Sequence, residues 1–248
     1  MIDRRGFAAG LGALAAGCTR AAALDRLSAG EQGRVSEVRS GEVIRLDNGL
    51  EVRLAGIEAP NGAEPLSGQA RATLAALIAG GTVRLLYGGL KRDRYDRALA
   101  HVRTDRGGRW LQGEMLSRGL ARVRTYPDNR ALAPEMLEAE AQARRARKGL
   151  WALADYQVLL PYECPGKSGF QIIEGQVTGV RDEGGVTAVD FLGGGARAEI
   201  PLYVASDFAA AGRGAASLPG RLARVRGLLR DGIVRLDHPE AVEVLRRA

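Results

Sequence analysis

Apolar and polar residues begin to alternate regularly at Val35, and the first two alternating runs are residues 43–46 and 50–54. Asp47-Asn48-Gly49 lies between these two runs. Because Asn-Gly readily adopts the positive φ angles of tight hairpin turns, this region predicts a β-hairpin. Arg53 therefore lies on a strand.

Helical and strand patterns are mixed in the residues that follow. Apolar side chains recur every three or four positions in residues 67–79, 111–118 and 134–148, which predicts amphipathic helices. Residues 82–87 and 98–103 alternate and predict strands. Strands that precede and interleave with helices in this way indicate an α+β fold, with a small barrel and packed helices rather than a doubly wound sheet.

The chain becomes strand-rich again after Cys164-Pro165-Gly166. Apolar runs flank Gly184-Gly185 and Asp231-Gly232, which predicts two more hairpins. The run Gly193-Gly194-Gly195 precedes no clear helix, so it is interpreted as a loop rather than a phosphate-binding loop. Residues 166–248 are therefore predicted to form a smaller, mostly β, OB-like domain.

The N-terminal residues have the layout of an export signal. An arginine pair at residues 4–5 precedes an uncharged stretch over residues 6–17, the arrangement of a bacterial twin-arginine signal. This stretch is far short of the roughly 20 residues that span a bilayer as a helix. We expect a signal over residues 1–23, a tether over residues 24–34, and a protein that leaves the cytoplasm.

A possible lipid-attachment site lies at the end of this signal. Residues 14–18 resemble a bacterial lipobox, in which small residues precede a cysteine, here Cys18, that is lipidated and anchors the protein to a membrane. Cleavage after Ala21-Ala22-Ala23 is the alternative. In either case Cys164 has no partner for an intramolecular disulfide.

Charge and composition exclude few classes of function. Of the formal net charge of +7, residues 35–155 carry +5, and residues 156–248 are neutral. A basic segment suggests a polyanionic partner, but a solvated arginine-rich surface is the simpler explanation. With Cys18 in the predicted signal, two histidines and one cysteine remain, which are too few for a structural Cys/His zinc cluster of four ligands. His101 and His238 are expected to be structural.

Two motifs stand out from this background. They are Arg53-Leu54-Ala55-Gly56-Ile57-Glu58-Ala59-Pro60 and Asp93-Arg94-Tyr95-Asp96-Arg97-Ala98-Leu99-Ala100. Together with residues 116–123, 140–143 and 148–151, they make the sequence resemble the staphylococcal nuclease (thermonuclease-like) family. The five matches occur in the family's order and cover about residues 35–155.

The resemblance implies a fold, an activity and a site. The fold would be an OB-type barrel of five strands with three helices, and the activity Ca²⁺-dependent cleavage of DNA and RNA, Mg²⁺ being a possible substitute. Arg53 and Arg97 match the arginines that clamp the phosphate. Glu42 and Glu58 stand where the family has metal-binding aspartates, and Ala59 matches a residue whose backbone carbonyl binds the metal.

The resemblance also identifies a departure and three substrate contacts. Asn61 stands where the family places the glutamate that orients or deprotonates water, and Glu64 is a candidate replacement. Arg94 and Tyr95 match positions that hold the neighbouring phosphate. Tyr126 either stacks on a base or packs on the barrel. Since an amide cannot accept the proton, we expect weakened rather than abolished activity.

Three functional hypotheses follow. The first is an exported nuclease, periplasmic, lipid-anchored or secreted, with DNA or RNA as partner and no obligate protein partner. The second is a module that binds nucleic acid or another polyanion without cutting it, which Asn61, Glu42 and Glu58 favour. The third is a structural protein of the cell envelope. Binding that weakens steeply with salt would separate the first two from the third.

Overall fold

A computed structural model describes residues 23–245 of the chain. These residues divide into two compact units. The barrel unit comprises residues 23–123 and Asp128–Gly149, and the C-terminal unit comprises Arg124–Pro127 and residues 150–245. Within residues 23–245, no helix is long and apolar enough to cross a membrane. Cys18 and the arginine pair of the predicted signal lie outside the described residues.

The barrel unit is built around a closed barrel of five strands, in the order β1-β2-β3-β6-β5. Strand β3 pairs with β6 in parallel, and the other neighbours are antiparallel. The short strands β4 and β7 pair with each other separately. The strands of this unit are β1 (Ser28–Val38), β2 (Val43–Leu46), β3 (Glu51–Leu54), β4 (Ile57–Glu58), β5 (Thr82–Tyr87), β6 (Ala98–Thr104) and β7 (Arg122–Val123).

Alternation along these strands fills the barrel with apolar side chains. Ile44, Val52, Leu54 and Leu85 are fully buried, and the residues between them are partly exposed. The helices α1 (Ser67–Ile78), α2 (Leu111–Ser117) and α3 (Ala133–Arg145) add their buried faces to the same core. The predicted α+β class and five-stranded OB-type barrel are confirmed.

Helix α1 packs closely against the start of the β2–β3 hairpin. Gly41 lies directly before that hairpin, and a Cβ atom at this position would lie 2.7 Å from Cβ of Ala70 and 2.8 Å from Cβ of Ala59. Real Cβ atoms do not approach so closely, so a glycine is needed here. This contact fixes the turn that carries Glu42 against the segment that carries Glu58.

Two features of the barrel unit differ from the sequence-based expectations. Residues 28–34 belong to β1 rather than to a tether. Their polar composition does not predict a strand, because the segment pairs with β5 through backbone hydrogen bonds. Helix α3 ends at Arg145 rather than at residue 148. Arg147 has a left-handed φ of 49°, and its neighbour Lys148 donates its backbone N–H to Ala143 O, which terminates the helix.

The C-terminal unit is a mostly β domain with one sheet in the order β12-β10-β9-β8-β11-β13, and β11 also pairs with β12. Its core includes the fully buried Phe208. The two predicted hairpins correspond to β8–β9 and β11–β12. The elements are β8 (Gly169–Asp182), β9 (Val186–Phe191), β10 (Arg197–Pro201), α4 (Ala205–Ala210), β11 (Leu222–Arg230), β12 (Ile233–Arg235) and β13 (Val242–Leu245).

Both histidines are buried and have structural partners. His101 is 1% exposed; its Nε2 lies 3.1 Å from Ala131 O, and Trp110 Nε1 donates to its Nδ1 at 3.3 Å. Burial lowers the pKa of His101 to about 4, so its imidazole is neutral at physiological pH. His238 Nε2 lies 3.2 Å from Thr125 O within the C-terminal unit.

Candidate active site

The parallel pairing of β3 and β6 brings Arg53 and Arg97 to one side of the barrel. Arg53 pairs in register with Leu99, and Arg97 lies two positions before Leu99, directly ahead of β6. Their neighbours Val52 and Ala98 are fully buried, so both arginines point outward. Their side chains are 15% and 24% exposed, respectively.

Glu42 links Arg53 to the segment after β4. Its Oε1 lies 3.3 Å from Arg53 Nε, and its Oε2 accepts the backbone N–H of Ala59 at 2.9 Å. Burial raises the pKa of the Glu42 carboxyl; the charge of Arg53 opposes this shift, and the charge of Glu58 adds to it. Glu42, Arg53 and Glu58 therefore interact electrostatically at one place.

Glu58 is held by Arg122, a residue to which the sequence analysis gave no role. The two are direct register partners on β4 and β7. Nε and Nη2 of Arg122 each lie 2.8 Å from Glu58 Oε2. Arg122 belongs to the matched segment 116–123, which was its only signal in the sequence.

Asp93 holds Arg97 in a similar way and was also missed. Its Oδ2 accepts from Arg97 Nε at 2.8 Å and from Nη2 at 2.6 Å, while its Oδ1 accepts the backbone N–H groups of Tyr95 and Arg97. Burial would raise the pKa of Asp93, but these hydrogen bonds outweigh it and hold the pKa below its ordinary value. Asp93 is therefore ionised and fixes the turn before β6.

The turn that Asp93 fixes also presents Arg94 and Tyr95. Tyr95 is 64% exposed, and the guanidinium carbons of Arg94 and Arg97 lie 4.8 Å and 5.2 Å from its ring centroid. Arg94, Tyr95 and Arg97 thus form one exposed cationic and aromatic cluster.

Asn61 and Glu64 lie in the exposed loop after Pro60. Glu64 Oε2 accepts the backbone N–H of Asn61 at 2.8 Å. Its carboxylate therefore lies beside the position at which the family has the glutamate that Glu64 was predicted to replace. Ala59, two residues before Asn61, is buried. Tyr126 belongs to the C-terminal unit, where its ring lies 5.7 Å from Cζ of Arg124.

The donors predicted for a metal fit a hard cation in kind. Glu42 and Glu58 provide carboxylate oxygens and Ala59 provides a backbone carbonyl, the ligands that Ca²⁺ and Mg²⁺ prefer. Both carboxylates also bond to arginine. Within residues 23–245, no group of three or more His, Cys, Asp or Glu side chains is arranged to hold a metal. Water and substrate would have to complete the coordination shell.

Sequence comparisons identify the family of the barrel unit. The profile of the family described as staphylococcal nuclease homologue matches residues 51–153, from the start of β3 to just beyond α3. The barrel unit belongs to the staphylococcal nuclease-like family. The probable staphylococcal-like nuclease CAN1 of Oryza sativa subsp. japonica is 34% identical over 119 residues, which cover 48% of this chain and 33% of that protein. The chain thus spans about a third of the length of this relative.

Proposed function

We propose that this protein is an exported phosphodiester hydrolase that cleaves DNA or RNA, with Ca²⁺, or alternatively Mg²⁺, as its cofactor. The observation that carries the proposal is the placement of Arg53 and Arg97 on one outward face of β3 and β6, next to Glu42. The staphylococcal nuclease-like fold supports it.

The two arginines would stabilise the charge that develops on the phosphoryl oxygens. Hydrolysis of a phosphodiester concentrates negative charge there, and fixed cations are the main way to lower that barrier. Planar guanidinium groups donate two parallel hydrogen bonds to a phosphate, which lysine cannot do. Glu42 and Asp93 orient the guanidinium groups before substrate binds, and a phosphate would compete with them.

Glu42, Glu58 and the carbonyl of Ala59 would hold the metal ion. When bound, such an ion polarises the phosphate and lowers the pKa of water. Arg122 would keep the carboxylate of Glu58 in place, and the Glu42 bond to Ala59 N–H would fix the relative position of the two acidic segments.

The site lacks the family's glutamate that would accept a proton from water. Asn61 carries an amide, which cannot accept a proton from water. The carboxylate of Glu64 lies at the backbone of Asn61 and is the nearest candidate base in that loop. General-base catalysis contributes roughly 10²- to 10⁴-fold, so we propose that activity is reduced by a factor in that range.

Arg94, Tyr95 and Tyr126 are proposed substrate contacts. Arg94 and Tyr95 would hold the neighbouring phosphate, because they share a rigid turn with Arg97. Tyr126 is 40% exposed, which leaves part of its ring available for stacking on a base.

Binding without cleavage is the second candidate function. Asn61 favours it, because a site without an effective base would retain its affinity for phosphate through Arg53 and Arg97. Cleavage of single-stranded DNA by the full chain, with Ca²⁺ and with a chelator, separates the two. We expect cleavage that requires the metal.

Three variants make this assay specific. Arg53→Ala should abolish cleavage. Arg53→Lys should retain little activity, because a charge without the planar, bidentate guanidinium group does not suffice. Arg230→Ala removes an exposed arginine from β11 and should change nothing. If the folded protein binds DNA but does not cleave it with Ca²⁺, Mg²⁺ or Mn²⁺, the binding function replaces the hydrolase.

Export and lipidation are proposed from the N-terminal sequence alone. Mass spectrometry of the mature protein from bacterial cells should find an N-terminal Cys18 that carries lipid. A mature chain that begins after Ala23 would mean a soluble exported protein, and retention of residue 1 would contradict export.

A further inference from the structure

A second cluster of arginines lies at the far end of β6 from the proposed active site. We call it the arginine face. It consists of Arg34, Arg84, Arg103, Arg106 and Arg109 and surrounds the turn that follows β6. Arg97 directly precedes β6 and Arg103 lies near its end, and the six residue steps from one to the other correspond to about 20 Å of strand. The arginine face is therefore separate from the proposed phosphate clamp.

The arginine face is concave. A cavity of about 680 Å³ is lined by Arg84, Arg103 and Arg109, with Trp110 also in its wall. A second cavity of about 630 Å³ is lined by Arg34, Arg106 and Arg109. Arg109 lines both cavities, so the turn that carries it separates two adjacent basic depressions.

The arginine face brings like charges close together. Arg84 and Arg103 are direct register partners on β5 and β6, and like charges in such positions repel each other. Among residues 23–245, the Arg84 side chain bonds only to the neutral amide of Gln32, at 3.0 Å. Arg103 pairs with Asp25 at 3.0 Å.

The remaining arginines of the face lack carboxylate partners among residues 23–245. Arg34 donates to a backbone carbonyl, that of Gly80. The exposed side chains of Arg106 and Arg109 make no hydrogen bond or ion pair in the described part of the chain. In the proposed active site, by contrast, Arg53 and Arg97 each pair with a carboxylate.

The nearby acidic residues are already engaged. Asp105 Oδ2 accepts from Gln32 Nε2 at 2.7 Å, and Glu114 forms an ion pair with Arg118. They reduce the positive charge of the two depressions but leave it in excess. Such a surface is suited to a flexible ligand with repeated negative charges.

We propose that the arginine face binds the phosphate backbone of a nucleic-acid strand, outside the segment that contacts the proposed active site. The proposal rests on the proposed function, because the strand bound by the arginine face would be part of the same nucleic-acid substrate. Guanidinium groups recognise phosphodiesters through bidentate hydrogen bonds. Arg84 and Arg103 lie within a depression, which a flexible strand can enter and a flat lipid surface cannot. The distance of about 20 Å corresponds to roughly six steps of duplex, so a long substrate would reach both places.

Salt-dependent binding tests this proposal without cleavage. The full chain is titrated with a fluorescent oligothymidine of about 30 nucleotides, longer than the 4 to 16 that one OB fold covers. A chelator is present, and the salt concentration is varied. The test variant is Arg106→Ala/Arg109→Ala, which removes two exposed side chains without partners and leaves the fold intact. The slope of log affinity against log salt should decrease by about 1.4, since each contact with a single strand contributes roughly 0.7.

A matched control separates local contacts from net charge. Arg221→Ala/Arg230→Ala removes two exposed arginines from the C-terminal unit and should leave the slope unchanged. Equal slopes for the test variant and the wild type would overturn the proposal, as would equal losses in the two double variants. A test variant that binds DNA normally but loses binding to phosphatidylglycerol vesicles would identify the face as a membrane contact instead.

The two proposals fail in different ways. If the protein does not cleave DNA but the arginine-face variant has the smaller slope, only the hydrolase is wrong. If the protein cleaves DNA and the variant has an unchanged slope and an unchanged KM for the long strand, only the arginine face is wrong. For Arg106→Ala/Arg109→Ala, we expect a KM that is several-fold higher than that of the wild type for the long strand and equal to it for a dinucleotide.

Discussion

Glu58 and Arg122 are direct cross-strand partners on β4 and β7, and two nitrogens of Arg122 contact one carboxylate oxygen of Glu58. This is one of three such pairs in the candidate site, together with Glu42–Arg53 and Asp93–Arg97. The Glu58–Arg122 and Glu42–Arg53 pairs join separate segments, and the Asp93–Arg97 pair holds the turn before β6. The site is therefore held together by its own opposite charges.

The first prediction concerns the stability that the Glu58–Arg122 pair provides. Both side chains are at most 20% exposed, so removal of the guanidinium leaves a partly desolvated carboxylate. We expect Arg122→Ala to lower the free energy of unfolding by about 2 kcal/mol, the range for hydrogen bonds to charged groups. Urea unfolding followed by circular dichroism measures the difference.

Arg118→Ala is the matched control for this prediction. Arg118 pairs with Glu114 on the exposed side of α2, and exposed pairs contribute less than about 1 kcal/mol. Arg122→Lys should fall between the wild type and Arg122→Ala, because it keeps the charge and loses the fork. If Arg118→Ala and Arg122→Ala lowered the free energy of unfolding equally, the Glu58–Arg122 pair would stabilise the protein no more than an exposed pair does.

The second prediction restores the missing base. Asn61→Glu should raise kcat for cleavage of single-stranded DNA with Ca²⁺ by roughly 10²- to 10⁴-fold, because a carboxylate accepts the proton that the amide cannot. Asn61→Gln has the same length but no basic group and should give no gain. A wild-type rate equal to that of Asn61→Glu would mean that Glu64 or another group already serves as the base, and Glu64→Gln would then be tested.

The third prediction uses the packing of Gly41 between Ala59 and Ala70. A methyl group at position 41 would come within 2.8 Å of both alanine side chains, so the hairpin or α1 must shift. We expect Gly41→Ala to destabilise the barrel unit by about 1 to 3 kcal/mol, the usual range for overpacking. Thermal unfolding, compared with the wild type, measures this loss.

Gly68→Ala is the natural control for Gly41→Ala. Gly68 lies in the first turn of α1 and has no atom within 4 Å of the position of an added Cβ. Alanine there should be neutral or stabilise the protein by up to about 1 kcal/mol. If both substitutions changed stability by the same amount and sign, close packing around Gly41 would not be the cause of the loss.

The hairpin that carries Arg53 could be predicted because its signals are local. Alternation on both sides of Asn48-Gly49 determined the two strands, and Gly49 has the expected positive φ of 88°. Strand β1 could not be predicted over residues 28–34, where the side chains are polar and mostly exposed. That segment is ordered by backbone pairing with β5, which leaves no apolar pattern in the sequence.

The candidate site could be predicted residue by residue but not as an arrangement. Family motifs indicated Arg53, Arg97, Glu42 and Glu58, whose assigned roles stay predictions. The parallel pairing of β3 and β6 joins distant segments, so the shared face of the arginines required the structure. The same holds for Arg122, because its contact with Glu58 depends on the β4–β7 pairing.

The last prediction concerns a second network, which holds the start of the loop that leads to Arg97. Tyr87 donates its hydroxyl hydrogen to Glu31 Oε2 at 2.6 Å, and Arg92 Nη2 donates to Glu31 Oε1 at 2.9 Å. The hydrogen bond from Tyr87 is the largest cause that lowers the pKa of Glu31, from its ordinary 4.5 to about 2. Because the folded pKa is depressed, the network's contribution to stability is complete above about pH 4.5 and is lost as the pH falls towards 2.

Tyr87→Phe should therefore raise the pKa of Glu31 towards 4.5, and Arg92→Gln, which removes both a hydrogen bond and a charge, should raise it as well. The carboxyl carbon shift of Glu31, followed by NMR between about pH 1.5 and 6, reports the midpoint directly. Tyr162→Phe removes an exposed hydroxyl from the C-terminal unit and should leave the midpoint unchanged. An unchanged midpoint in Tyr87→Phe would contradict the assigned cause and leave the ion pair with Arg92, rather than the hydrogen bond from Tyr87, as the main contact between β1 and the loop.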